Sequence, residues 1–363
     1  MNENTIPILA LHGHGEMGQS AYLKSLHESV SQKLNALVIS VEYLGLKLLR
    51  SGNPTHILLD EWSLKETNYN LRLQGMPPIS RNVLKEKNPL QVLIQLLKSL
   101  PLKLNSPLRP IPCISARFLD DHYDFGVVQT LDCLWAVKVA MDLHPNIDWS
   151  RLSAAGLSHG GYLATQCARF APNTFSLIVN GYGWVKPYLP WMLREDNGHH
   201  KELGGISFVT FIDNYWRLEA DHPFFLSPGR LQIRTQNSQD QLSQWKQQQE
   251  GSGPLFIMTQ QINDERHPRA EKEELILQMN VAGFNLKSYL NPPENTPYRS
   301  LLQGDKTSFK GLIYDFITAE NLQPTRIIKS DFDRKSVISY RCRNIQYEID
   351  YTEGLPRLKT YQV

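Results

Sequence analysis

Short apolar runs alternate with stretches of helical spacing along most of this chain. Residues 6–11, Ile-Pro-Ile-Leu-Ala-Leu, contain no polar position and end at Gly-rich turn residues, which predicts a strand buried on both faces. Tyr22, Leu23, Leu26, Val30 and Leu34 then recur at helical spacing behind Ser20, a suitable N-cap, and residues 37–41 return to a β-branched run. Strand, helix and strand in that succession predict a parallel crossover unit. The alternation resumes at Phe125. A helix is expected over Val127, Val128, Leu131, Leu134, Trp135 and Val139, a strand over 151–155, a helix over 159–170 and a strand over 175–180. Further on, a strand over 255–259, a helix over 270–281 and a strand over 284–290 complete the pattern. The expected fold class is α/β: a mostly parallel sheet with helices on both faces.

Two stretches break this order. Residues 46–121 carry prolines at 54, 77, 78, 89, 101, 107, 110 and 112 and one recognisable helix, near 83–100. Residues 184–253 are irregular, with Tyr215, Trp216, Phe224 and Phe225 and a Gln-rich segment at 239–249 that reads as a solvated helix or loop. Insertions of this length between core elements are expected to be lids or caps, the first of them covering the site without extending the sheet. From Ser336 the period changes to two. Val337, Ser339 and Arg341, then Ile345, Tyr347, Ile349 and Tyr351, with turn signals at Asn344 and Glu353-Gly354, predict a small antiparallel meander. The expected organisation is a domain over 1–330 carrying both insertions and a C-terminal β extension over 331–363.

Hydrophobic residues make up 41% and aromatics 10% of the 363 residues, so a large core can be buried and the irregular stretches belong to a globular protein. Lys and Arg number 38 against 36 Asp and Glu, a net charge of +2 without a long run of like charges, which argues against nucleic acid as a partner. Cys113, Cys133, Cys167 and Cys342 form no CxxC pair and read as packed thiols in a reducing compartment. The first apolar run passes directly into His12-Gly13 with no basic segment before it, as a strand does and a signal peptide does not. No stretch approaches the ~18 apolar residues of a membrane span. A cytoplasmic protein with no membrane span and no cofactor is expected.

The chemistry concentrates at Gly156-Leu157-Ser158-His159-Gly160-Gly161. A GxSxG run between a strand and a helix makes the sharp turn that presents a nucleophilic serine, with the helix N-terminus beside a developing oxyanion. The alternative is a turn of the same shape whose serine does no chemistry. His12-Gly13-His14-Gly15 follows the first strand, where the backbone N–H of His14 can join that of His159 as an oxyanion donor. His12 and His14 are alternatively an HxH zinc pair. His199-His200 and Asp221-His222 show no ligand spacing and read as surface residues. After the 255–259 strand comes Asn263-Asp264-Glu265-Arg266-His267-Pro268, and Asp264 is the candidate acid that orients a catalytic histidine.

Strand order, serine turn and acid together resemble the α/β-hydrolase superfamily, and Ser-His-Gly-Gly-Tyr-Leu at 158–163 is similar to its prolyl-oligopeptidase-type branch. A closer resemblance is to an uncharacterised bacterial family of α/β-hydrolase-like proteins, a domain-of-unknown-function family linked to surface-glycan gene clusters. It rests on Asp-His-Tyr-Asp-Phe-Gly at 121–126, on 156–163 with Ala171-Pro172, on Tyr215-Trp216, and on Asp264 leading to Gly283-Phe284. It covers about residues 115–320, with the tail meander included. The resemblance implies a triad in the order serine, acid, histidine, with a His-Gly pair in the loop after the last strand. No histidine follows His267, and Gln303-Gly304 stands where that pair is expected. An amide can hold hydrogen bonds to Ser158 and Asp264, but it cannot accept a proton near neutral pH. His122, His159 and His267 are the remaining imidazoles that could act as base. Two functions follow: a serine hydrolase of the esterase, deacylase or peptidase type with an altered triad, acting on a small-molecule, peptide or glycan ester, or an inactive pseudohydrolase that binds a glycan, acyl or protein partner.

Overall fold

A computed structural model describes residues 3–13, 27–28, 30–31, 34–44, 59–73, 75–100, 111–116, 124–193, 199–203, 206–212, 216–260, 268–290 and 329–363. In chain order its main elements are β1 (Ile6–Leu11), β2 (Ala36–Ser40), α1 (Glu61–Leu73), α2 (Pro89–Ser99), β3 (Ile111–Ala116), α3 (Val127–Leu143), β4 (Ser153–Leu157), α4 (His159–Phe170) and β5 (Leu177–Gly181). They continue as β6 (His199–Leu203), β7 (Ile206–Ile212), α5 (Pro228–Gln232), α6 (Gln239–Gln247), β8 (Leu255–Thr259), α7 (Arg269–Val281), β9 (Leu286–Tyr289), α8 (Asp331–Arg334), β10 (Val337–Cys342), β11 (Ile345–Asp350) and β12 (Arg357–Gln362). The chain forms two compact units, one of Met1–Leu44, Asp124–Tyr188 and Phe225–Val363, the other of Gly45–Tyr123 and Leu189–Phe224.

The first unit is built on a six-stranded sheet in the order β2-β1-β4-β5-β8-β9, parallel throughout. Every residue of β1 and β5 is buried, the pattern of a parallel sheet covered on both faces. On one face Ile8, Ala155, Leu177, Val179 and Ile257 pack with Val30 and Leu34 of the segment between β1 and β2. On the other, α4 lies against β4 and β5, and Trp245 of α6 packs edge-on against Phe256 of β8. Strand order reverses between β1 and β4. In open parallel sheets the crevice outside the carboxyl ends at such a point is where ligands bind.

The tail forms the expected meander, β10-β11-β12, antiparallel, with its turns at Asn344 and Gly354. It is fastened to the core through buried polar groups. Asp331 accepts from Asn173 N (2.8 Å) and Thr174 Oγ1 (2.9 Å), and Tyr351 Oη donates to Phe170 O (3.0 Å). Arg169, itself buried, stacks on Tyr340 with its guanidinium carbon 4.7 Å from the ring centre and donates to Gln241 Oε1.

The Gln-rich segment departs from the expectation of a solvated element. It is helix α6, with Gln241, Leu242 and Trp245 buried, and its glutamines close the open edge of β10. Ser339 N donates to Gln248 Oε1 (2.7 Å) and Gln248 Nε2 donates to Ser339 O (3.1 Å). One helical turn earlier Arg341 N donates to Gln244 Oε1 (2.7 Å), and Gln241 Nε2 donates to Arg341 O (2.7 Å). A glutamine amide offers one acceptor and donors in one plane, as a peptide group does, so the side chains take the place of a fourth strand. The double substitution Gln244→Ala, Gln248→Ala is expected to lower the stability of the first unit by about 1–2 kcal/mol, read from urea unfolding. An unchanged midpoint would mean that water serves the edge equally well.

The two inserted stretches also carry more order than their composition predicts. Besides α2, Glu61–Leu73 is helical, and β3 pairs in parallel with β7, which pairs antiparallel with β6. Leu64, Leu71, Leu93, Leu97, Ile111 and Phe208 form the core of this second unit. The irregular stretch assigned to 184–253 ends earlier in space: from Phe225 onward the chain belongs to the first unit.

Candidate active site

Ser158 lies between β4 and α4, at the N-cap of the helix, with φ 53° and ψ −121°. That backbone is sparsely populated for a residue with a Cβ and costs on the order of 1–3 kcal/mol, so the surroundings must impose it. They do so by contact. A Cβ on Gly156 would lie 2.3 Å from Gly160 C, and one on Gly160 would lie 2.2 Å from Leu11 O, backbone in both cases. Ser158 N donates to Gly181 O (2.8 Å) and Tyr162 N to Ser158 O (3.1 Å), tying the turn to β5 and to the first helical turn. The serine is half-buried. The GxSxGG run is thus a packing requirement: strand, helix and the end of β1 meet with no room for side chains.

His159 opens α4, so its N–H belongs to the first turn of the helix, directly after the serine. Its ring is wholly buried among Trp184, Tyr162, Tyr43 and Phe125, with ring centres 4.8–6.5 Å away. Gln129 of α3 fixes the tautomer. Its Nε2 donates to Leu44 O (3.1 Å), which leaves Oε1 to accept from His159 Nε2–H (3.0 Å). His159 therefore offers the turn its amide, while its imidazole is held in the interior.

His12 closes β1 with an equally committed ring. Nε2 donates to Val41 O (3.2 Å), the Tyr43 hydroxyl lies 3.1 Å from Nδ1, and the two rings stack at 4.6 Å. Among the described residues no three His, Cys, Asp or Glu side chains gather as a metal site. His14, His122, Asp264, His267 and Gln303 lie outside the described residues.

Several residues that shape the site lie outside the serine turn. Asp124 and Arg234 form a buried ion pair (2.6 Å), and Asp124 Oδ2 caps α3 at Val128 N. Lys272 of α7 is buried and donates to Gly183 O and to Asn180 Oδ1 (3.2 Å), while Asn180 Nδ2 donates to Thr165 of α4 (2.8 Å). Asn180 so joins α4, α7 and the turn after β5. In that turn Tyr182 has φ 51°, and its N donates to Thr259 O. Burial pushes its phenol above the ordinary range. The Tyr182 hydroxyl and Thr259 Oγ1 are both buried with no hydrogen-bond partner among the described residues, at the carboxyl ends of β5 and β8. Strain and orphaned polar atoms at one end of a sheet are features that functional sites accumulate.

The strand order, the switch point beside β1, the strained serine after the third strand of the sheet and the helix it caps define an α/β-hydrolase fold. The chain matches the family described as "Protein of unknown function (DUF2920)" over residues 3–359, and it belongs to that family. The match extends well before residue 115, where the resemblance in sequence began, and takes in β1 and the tail. No curated protein matches the chain. Among solved structures it is similar to an acylaminoacyl peptidase of Pyrococcus horikoshii (12% identity, 88% of this chain and 38% of that one, TM-score 0.45). It is also similar to carboxyl esterase 2 of the mycorrhizal fungus Tuber melanosporum (12%, 88% and 80%, TM-score 0.41). A third is a putative dienelactone hydrolase from Klebsiella pneumoniae (13%, 88% and 88%, TM-score 0.39). The chain thus spans little over a third of the length of the peptidase it matches. Among the described residues no helix is long and apolar enough to cross a membrane, and all four cysteines are buried and free.

Proposed function

We propose that this protein is a serine hydrolase of the carboxylic-ester or amide class whose proton-transfer machinery is altered. Ser158 is the nucleophile, the N–H groups of His159 and His14 receive the oxyanion, Asp264 is the acid, and Gln303 stands where the base is expected. The observation that carries this reading is the backbone of Ser158, held at φ 53° between Gly156 and Gly160, neither of which has room for a Cβ. A turn that served packing alone has no need of a strained serine. With the His159 ring engaged by Gln129, His122 and His267 are the remaining candidates for a relocated base.

The test is covalent. Wild-type protein treated with a fluorophosphonate is expected to label slowly, at Ser158 alone, and Ser158→Ala to abolish the label. Slow turnover of an activated ester should accompany it, since oxyanion donors and binding leave about 10³- to 10⁴-fold acceleration when triad members are missing. Labelling that persists in Ser158→Ala would remove the serine from the mechanism. The pseudohydrolase reading is favoured by one feature, the amide at Gln303, and predicts no turnover at any concentration of ester.

A further inference from the structure

At the other end of α4 from Ser158 lies a groove of about 760 Å³ between α5, the start of α6 and the turn that joins β10 to β11. Arg169, eleven residues beyond the serine, donates to Thr235 O (3.2 Å) in its wall, so the groove lies roughly 16 Å from the nucleophile along the helix axis. We propose that this groove is a second binding site, for a small hydroxylated oxyanion, with Arg341 and Arg343 as the anion clamp.

Three observations support it. Arg341 and Arg343 flank the buried Cys342, both are exposed, and among the described residues neither is in an ion pair. Their neighbours are paired: Arg334 with Glu250, Arg357 with Glu353, Lys359 with Asp350. Two uncompensated guanidinium groups beside one cavity are a bidentate oxyanion site in waiting. Most of the remaining lining is hydroxyl, amide and carboxylate, from Thr235, Ser238, Ser243, Gln232, Gln244 and Asp240, and Pro228 and Leu231 give it an apolar side. Asp240 is exposed at the groove and, among the described residues, is without an ion pair. Acceptors beside a cationic pair suit a ligand that brings its own hydroxyl donors. The wall is also rigid, because Gln241 and Gln244 hold the backbone of Arg341 and leave its side chain free to bind. Arg343 sits at φ 56°, a position that favours Gly or Asn, and the charge is kept there at the expense of the turn.

Both phosphate and carboxylate satisfy this chemistry, and the test separates them. Isothermal titration of the full chain with a hexose 6-phosphate, a hexonate and the neutral hexose is expected to give saturable binding of at least one anion and about tenfold weaker binding of the neutral sugar. The stronger anion identifies the headgroup. Arg341→Gln with Arg343→Gln should weaken anion binding about tenfold or more and leave the melting temperature unchanged, since neither side chain is packed. Ser158→Ala should bind with unchanged affinity, which separates this site from the hydrolytic one. Absence of saturable binding by either anion, or equal binding by the double variant, would overturn the proposal.

Discussion

Histidine in place of Gln303 is expected to raise fluorophosphonate labelling at Ser158, and turnover of activated esters, by about 10²- to 10⁴-fold, the range that a positioned general base contributes. The argument is one of proton affinity. In the proposed reading Ser158 is the nucleophile at the start of α4, but attack by its hydroxyl requires a group that accepts the proton, and a carboxamide does not. An imidazole occupies similar space, can donate to Asp264 through one nitrogen and accept from Ser158 through the other, and titrates near neutrality. Turnover in the variant should fall as pH drops through the imidazole range, whereas the slow wild-type reaction should lack that inflection. If labelling of Gln303→His equals that of wild type, Gln303 is not at the base position. If wild type already labels fast and loses that on His122→Ala or His267→Ala, the base has moved to that residue.

The second large effect falls on folding. Gly160→Ala places a methyl carbon 2.2 Å from Leu11 O and 2.7 Å from His12 O, both backbone atoms of the strand beside the serine turn. No rotamer relieves a Cβ clash, so α4 must lift from β1, at a cost of about 3 kcal/mol or more. For a unit of this size that corresponds to a melting temperature lower by roughly 6–12 °C. Gly251→Ala is the control: no atom lies within 4 Å of its added Cβ, and the penalty is limited to its positive φ, about 1 kcal/mol. Equal melting of the Gly160 variant and wild type would show that the turn tolerates a side chain, and with it the steric account of the GxSxGG run would fall.

How much of this was legible beforehand depends on what each residue must satisfy. The strand at 255–259 and the helix at 159–170 match their expected bounds, because continuous apolar runs and a glycine-bounded helix start leave one solution. The meander was legible from its period of two and its turn residues. Helix Glu61–Leu73 was not, since Ser63 and Thr67 occupy its buried face beside Leu64 and Leu71, and the Thr67 hydroxyl is satisfied by Ser63 O within the helix. Strand β6 reads His-His-Lys-Glu-Leu, and nothing in that composition announces pairing with β7. At the site, the serine turn carried a motif. The Asn180–Lys272 link and the Gln129–His159 bond did not, because each joins residues far apart in the chain whose partnership exists only once the sheet is assembled.

The places where the chain leaves and re-enters the first unit bear on how such a protein can change over time. Leu44, the last residue before the inserted unit begins, has its N–H held by Asp132 (2.8 Å) and its carbonyl by Gln129, the same side chain that sets the His159 ring. Asp124, the first residue on return, is locked by Arg234. Both ends of that long excursion are clamped by side chains of the hydrolase-like body itself, so the body keeps its own boundary whatever lies between them. A substitution of Gln129 would therefore disturb the exit of the chain and the His159 ring together, so the two can change only in concert.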